Sequence, residues 1–186
     1  MPKIFKFKRG FKTFAEKKSI ELRTELGIKP SYPLPSRILS EHLKVILKSP
    51  DEIPGMDESI LKCLLKKSES HWSGVTLQIG DQLLVIVNSS HSKARQESDI
   101  MHELAHVICR HQMGEFVPLA DGLFLRDYNE EQEKEAEWLG GCLQLPRVAL
   151  QYHYKIYEMS QQEIAEKFNA SSDMVHFRIN VCKVKR

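Results

Sequence analysis

Apolar residues recur at intervals of three and four in several separate stretches of the chain, which is the spacing of one helix face. Over residues 11–26 this pattern predicts a helix that stops at Gly27. The same criterion predicts four further helices, at residues 36–43, 57–67, 92–113 (ending at Gly114) and 129–143. Three short helices are predicted in the tail, over residues 147–158, from Ser160 to about Asn169, and from Ser171 or Ser172 to the C-terminus.

Short runs of apolar and β-branched residues lie between these helices and predict strands. They occupy residues 45–47, 75–79 and 82–88. The last two flank Gly80-Asp81, a dipeptide typical of a tight hairpin turn. One small sheet among many helices predicts the α+β class.

The composition is that of an ordinary globular protein, with 41% hydrophobic and 28% charged residues. The formal net charge of +2 is too small to indicate a nucleic-acid partner, although both ends of the chain are basic. No apolar run has the length of a signal peptide or a membrane span. Four widely spaced cysteines without a C-x-x-C pair indicate buried thiols in a reducing compartment, so we expect a cytoplasmic protein without membrane contact.

The motif that carries chemistry is His102-Glu103-Leu104-Ala105-His106, inside the predicted helix at 92–113. Four residues advance a helix by about 40° around its axis and about 6 Å along it, so both imidazoles lie on one face. Two histidines in this position can bind one zinc ion. Glu103 lies beside them, where it can act as general base towards an attacking water molecule. The alternative interpretation is two surface histidines and an acid on an amphipathic helix.

A third zinc ligand is expected on a later helix, and residues 130–138 are the dense source of carboxylates downstream of the motif. Most of these glutamates are expected to form a solvated face. Glu133 and Glu137 share a face at four-residue spacing, so one can bind the metal while the other accepts a hydrogen bond from a ligand histidine. The spacing alone leaves open which glutamate has which role.

These motifs together resemble the ImmA/IrrE family of zinc metallo-endopeptidases. The resemblance rests on residues 102–106, on Glu133-x-Glu135-Ala136-Glu137 and on Leu143-x-Leu145-Pro146. It implies a zincin-like α+β fold, one Zn²⁺ ion, Glu133 as the third ligand and Glu137 as the hydrogen-bond partner of a ligand histidine. The chain departs from the family where Glu137 replaces the usual Asn or Asp, and where Gly140-Gly141 replaces an alanine-rich stretch.

The resemblance also implies an endopeptidase whose protein substrate is a helix-turn-helix repressor of the XRE type, so that cleavage relieves repression. One alternative is a non-catalytic protein- or DNA-binding module with a structural or empty zinc site. An intact Glu103 argues against that alternative, because a structural site needs no general base. A different zinc hydrolase, such as an aminopeptidase, is the second alternative.

We expect residues 1–158 to form the zincin-like metallopeptidase unit, including the N-terminal helix. Residues 159–186 are expected to form a helix-turn-helix-like tail packed on that unit. The tail has few basic residues, so direct DNA binding is less favoured, and docking of the protein substrate is an alternative role.

Other polar residues of the chain are candidates for a donor that stabilises the oxyanion near the metal. His111, about 140° around the helix from His106, is expected to face elsewhere, at the surface. The sequence selects none of five candidate oxyanion donors, which are Tyr128, Arg147, Tyr152, His153 and Tyr154.

Overall fold

A computed structural model describes residues 7–66, 72–112, 116–118, 124–126 and 129–185 of the chain. In chain order its elements are α1 (Phe11–Glu25), α2 (Ser36–His42), β1 (Val45–Lys48), α3 (Glu58–Leu64), β2 (Gly74–Ile79), β3 (Gln82–Val87), α4 (Lys93–Cys109), β4 (Phe116–Pro118), β5 (Phe124–Arg126), α5 (Glu130–Gln144), α6 (Arg147–Leu150), α7 (Gln161–Lys167) and α8 (Ser172–Cys182). This is the α+β, zincin-like arrangement that the sequence predicts. In this part of the chain, no helix is both long enough and apolar enough to cross a membrane.

The three predicted strands form one small sheet in the order β1-β3-β2. β1 runs parallel to β3, with Val45 opposite Leu83, and β2 pairs with β3 as an antiparallel hairpin. Gly80 has a φ of 59° at the hairpin turn, a conformation that costs glycine little. Among the described strands β2 pairs only with β3, so β2 is an edge of this sheet.

The core lies between the sheet, α4 and α5. Its buried apolar residues include Val85 and Val87 on β3, Ile100, Met101, Leu104 and Ala105 on α4, and Ala136, Leu139 and Leu143 on α5. Gly140 lies where α5 crosses α4. A Cβ atom built on it would lie 3.2 Å from the backbone nitrogen and Cα of His102. The two helices therefore approach to backbone contact at the first histidine of the motif.

Arg23 ties α1 to the end of α5. Its fully buried guanidinium donates hydrogen bonds to the carbonyl oxygens of Leu143 (2.7 Å), Tyr32 (2.9 Å) and Ser19 (3.1 Å). Burial lowers the pKa of Arg23 to about 10. Because Leu143 is in the last turn of α5, this cation also satisfies a carbonyl that the helix itself leaves without a partner.

Two asparagines order the chain just before α4 and at the start of α5. Asn88 is fully buried at the end of β3, and its side chain accepts from the backbone N–H of Ser90 and donates to the carbonyl of Trp72. Asn129 caps α5 by accepting from the backbone N–H groups of Glu131 and Gln132. Asn88 therefore fixes the turn between β3 and α4, whose own cap is Ser92, while Asn129 satisfies backbone N–H groups in the first turn of α5.

Several predicted helix boundaries differ from the structure, and the end of α4 is the one nearest the motif. α4 ends at Cys109 because Arg110 adopts a left-handed conformation (φ 54°), whereas the sequence predicted an end at Gly114, which lies outside the described residues. The helix predicted at 147–158 consists of α6 followed by a π-helical turn, Gln151–Ile156. The first difference changes the surroundings of the motif.

The tail helices α7 and α8 share a second apolar cluster with residues from α6. Ser160 and Glu163 form a capping box at the start of α7, the helix predicted to begin at Ser160. Arg178 of α8 is fully buried and donates to Glu16 of α1 at 2.6 Å and to the carbonyl of Leu145 at 3.0 Å. The tail therefore packs on the rest of the chain, and a boundary at residue 158 stays a prediction.

We predict that Gly140→Ala destabilises the protein, because its methyl group would meet the α4 backbone, which cannot move aside like a side chain. Overpacking of this kind costs about 1–3 kcal/mol, against roughly 1 kcal/mol gained in helix propensity. Urea unfolding measures the difference. Gly141→Ala is the matched control, because its Cβ would meet only side-chain atoms, the nearest being Cδ of Arg178. A Gly140→Ala variant as stable as the parent would contradict the account of the helix crossing.

Candidate metal centre

The structure brings His102, His106 and Glu133 together between α4 and α5. Nε2 of His102 lies 3.1 Å from Nε2 of His106 and 3.1 Å from Oε2 of Glu133. Nε2 of His106 lies 3.6 Å from Oε1 of Glu133. Two ring nitrogens and a carboxylate therefore point towards one small volume, where they could hold a metal ion.

These distances fit a tetrahedral ion. Ligands bound to zinc at about 2.0–2.1 Å in tetrahedral directions lie roughly 3.3 Å from each other. The two ring nitrogens lie 3.1 Å apart, and they lie 3.1 and 3.6 Å from the two different oxygens of Glu133, so these separations are close to that value. Two imidazoles and one carboxylate are also the donor set of one class of catalytic zinc sites.

The cluster is open on one side. The side chain of His106 is 8% exposed, whereas those of His102 and Glu133 are 31% and 28% exposed. A water molecule or a substrate group can therefore approach the three ligand atoms from the side of His102 and Glu133.

Glu103 is held against the edge strand beside the cluster. It is 4% exposed, and its Oε2 accepts a hydrogen bond of 2.6 Å from the hydroxyl of Thr76 on β2. A Cβ atom at Gly74 would come within 3.0 Å of Cγ of Glu103, so the absence of a side chain there makes room for the carboxylate. One oxygen is fixed by Thr76, which leaves the other free to accept a proton.

Electrostatics couple the three candidate ligands. Burial disfavours a charged His102, but its hydrogen bond to Glu133 and the nearby charge of Glu103 outweigh burial and raise the pKa of His102. The hydrogen bonds from His102 and His106 hold the pKa of Glu133 far below its ordinary value. A negative carboxylate facing two rings favours a cation between them.

Two residues that the sequence did not assign to the site lie behind His106. Nδ1 of His111 is 3.0 Å from Nδ1 of His106, and Nε2 of His111 is 3.2 Å from Oε2 of Glu135. The expectation of a surface His111 was wrong, since its side chain is 6% exposed. The left-handed Arg110 turns the chain back at this point, so the angle per residue of a helix no longer applies.

Comparison with known proteins gives the family. Residues 59–180 match the sequence model of the IrrE N-terminal-like domain, a family of peptidases. The chain belongs to the IrrE N-terminal-like family. Among solved structures, a Mycobacterium tuberculosis transcriptional regulator aligns with a TM-score of 0.49 and 11% identity, over 94% of this chain and 48% of that chain. The chain thus spans about half the length of that protein. Among curated proteins, no sequence matches this chain.

Membership of the IrrE N-terminal-like family makes the chain a metallopeptidase-family protein, and the matched range contains both α4 and α5. The match also runs across residue 158 into α8. The family supports a metal at the His-His-Glu cluster, and the assignment of each ligand stays a prediction of the sequence and the geometry.

Glu137, where the family usually has Asn or Asp, lies on the outside of α5. Its side chain is 57% exposed, and its carboxylate is 2.9 Å from Nζ of Lys134. Its charge still acts through space to raise the pKa of His102. Within the described part of the chain, neither His102 nor His106 is hydrogen-bonded to Glu137, and its role in zinc binding stays a prediction.

The cysteines and the other candidate polar residues divide between core and surface. All four thiols are free. Cys142 and Cys182 are buried, as expected of the cysteines, whereas Cys63 is exposed. Burial raises the pKa of Cys109 to about 11, so it is a poor nucleophile. Of the oxyanion candidates, His153 is buried with Nε2 2.9 Å from the carbonyl of Ser31, Arg147 is exposed, and Tyr128 lies outside the described residues.

We predict that Glu133→Ala abolishes tight zinc binding, as His102→Ala does, while Glu137→Ala only weakens it. Removing a direct ligand takes away a metal bond, whereas Glu137 acts on His102 through its charge, so its loss should cost at most about 10–100-fold in affinity, the loss that is typical of an outer partner. Competition with a chromophoric chelator measures the zinc affinity of each variant. If Glu137→Ala were the variant that lost zinc, the assigned register of α5 would be wrong by one turn.

Proposed function

We propose that the protein is a zinc-dependent endopeptidase, with His102, His106 and Glu133 as zinc ligands and Glu103 as general base. The observation that carries the proposal is the convergence of His102, His106 and Glu133, together with the buried Glu103 on the helix that carries both histidines. Membership of a peptidase family supports the same reaction class. The motif thus has both a set of ligands and a group that can move a proton.

The metal ligands, Glu103 and Thr76 each have a separate role in the proposed hydrolysis. A zinc ion in this cluster would polarise the scissile carbonyl and lower the pKa of the attacking water. Glu103 accepts the proton of that water and later delivers it to the leaving amine. Thr76 holds one oxygen of the Glu103 carboxylate through a 2.6 Å hydrogen bond. Strand β2, through Thr76, and helix α4 therefore together position Glu103, the proposed base.

A catalytic site accounts for the geometry better than a structural one. Structural zinc sites are closed by four protein ligands, whereas catalytic sites keep one position open. Three candidate ligands converge among the described residues, and two of them are about 30% exposed. Glu103 would have no role in a structural site, yet it is buried and oriented beside the ligands.

The surroundings of the cluster suit a polypeptide. β2 is the edge strand of the sheet and carries Thr76, so its outer side runs past Glu103. An extended peptide can add to such an edge through main-chain hydrogen bonds. A cleft of about 330 Å³ lies between β2, β3 and the end of α4, with Thr76 and His106 in its wall, and is large enough for side chains of a substrate.

We propose, as the resemblance implies, that the substrate is a helix-turn-helix repressor and that cleavage relieves repression. The tail supports a docking role over direct DNA binding, because Arg178, the one arginine of α8, is buried against Glu16. We propose that the protein acts in the cytoplasm, because its four thiols are free, as is usual for proteins of reducing compartments.

We predict that Glu103→Gln keeps the zinc and the fold but loses proteolysis by about 10²–10⁴-fold, because an amide cannot accept the proton. Elemental analysis gives the metal content. Fragment formation from the candidate repressor gives the rate, with casein as a general protein substrate. Glu130→Gln, the same change at an exposed glutamate of α5, is the control and should keep the parental rate. Cleavage by Glu103→Gln at the parental rate would exclude this mechanism.

A further inference from the structure

Both ring nitrogens of His106 have a polar neighbour, one on the side of the cluster and one on the opposite side. Its Nε2 faces the cluster, and its Nδ1 lies 3.0 Å from Nδ1 of His111. The other nitrogen of His111 lies 3.2 Å from Oε2 of Glu135. A continuous line of polar contacts therefore runs from the candidate metal position through two imidazole rings to a carboxylate.

The hydrogen atoms along this line have one consistent arrangement. A ring that binds a metal through Nε2 carries its hydrogen on Nδ1, so His106 is the donor towards His111. His111 must then accept at Nδ1, which leaves its own hydrogen on Nε2, facing Glu135. The carboxylate of Glu135 accepts that hydrogen, so every polar atom of the line has a partner.

The contacts are shielded from water. The side chains of His106, His111 and Glu135 are 8%, 6% and 10% exposed. The backbone supports the same arrangement, because the N–H of His111 donates to the carbonyl of His106 at 3.0 Å. Residues 106 and 111 are thus joined by one main-chain and one side-chain hydrogen bond across the left-handed turn at Arg110.

We propose that His111 and Glu135 are positioning residues that hold the His106 ring in the tautomer and orientation needed to bind zinc through Nε2. Glu135 acts on His111, and His111 acts on His106; we call this line of contacts the relay. The proposal rests on the proposed function in one respect, namely that His106 is a zinc ligand. Partners of this kind typically contribute about 10–100-fold to metal affinity.

The chain contains a matched control for the loss of a buried histidine–carboxylate pair. His91 and Asp99 are 8% and 14% exposed and lie 2.8 Å apart at the start of α4. The remaining ring nitrogen of His91 lies 3.4 Å from the side-chain amide of Asn88, and no contact links His91 to His102, His106 or Glu133 among the described residues. His91→Ala therefore removes a comparable pair without touching the candidate ligands.

The test is the zinc affinity of the full chain, measured by chelator competition, for three changes at His111. His111→Ala should weaken zinc binding about 10–100-fold, because Nδ1 of His106 loses its acceptor. His111→Asn should recover most of the loss, because its amide oxygen can stand where Nδ1 stood. His111→Gln should not recover it, because its amide extends towards Glu135 instead. Circular dichroism and urea unfolding check the fold of each variant.

The role of Glu135 is tested by coupling. If Glu135 acts only through His111, the double variant His111→Ala/Glu135→Ala binds zinc no more weakly than His111→Ala alone. Additive losses would show that Glu135 acts by another route and would overturn the relay.

Three further outcomes would overturn the relay. The first is parental zinc affinity in His111→Ala, and the second is His111→Asn as weak as His111→Ala. The third is an equal loss in His91→Ala, which would attribute the effect to general destabilisation. His102→Ala separates the two proposals. If it has lost zinc while His111→Ala has not, the relay fails alone; if it binds zinc like the parent, the proposed metal site fails and the relay with it.

Discussion

The contact between α4 and α5 at Gly140 is the constraint on which the rest of the site depends. The histidines lie on one helix and Glu133 on the other, so the separation of the helix axes sets the distance between ligand atoms. With no side chain at residue 140, the backbones approach until a Cβ would be 3.2 Å from His102. Arg23 ties α1 to the last turn of α5 and so helps to hold that helix against the core.

Three carboxylates lie in or beside the metal cluster in a mostly apolar setting, and each has a hydrogen-bonding partner. Glu103 is held by Thr76, Glu135 by His111, and Glu133 by two imidazoles. Without such partners, buried charges of this kind would cost several kcal/mol each. The arrangement therefore fixes side-chain directions, and fixed ligands keep their metal geometry during a reaction.

Much of this architecture follows from periodicity and spacing. The i, i+4 histidines lie on one helix face, the hairpin at Gly80 pairs β2 with β3, and the acidic helix faces the motif. The role of His111 could not be predicted, because α4 ends at a left-handed arginine rather than at the glycine that usually marks a helix end. Most glutamates of α5 are expected to be solvated, yet the side chain of Glu135 is largely buried against His111. The need for glycine at residue 140 depends on a long-range helix contact that no local pattern contains.

Anomalous diffraction at the zinc edge from crystals of the zinc-loaded protein tests the central claim most directly, namely that α4 and α5 together bind one ion. The account predicts one zinc peak at about 2 Å from Nε2 of His102, Nε2 of His106 and a carboxylate oxygen of Glu133. A peak bound by Glu137 or by the sulfur of Cys109 in place of Glu133, or no peak between the two helices, would contradict it.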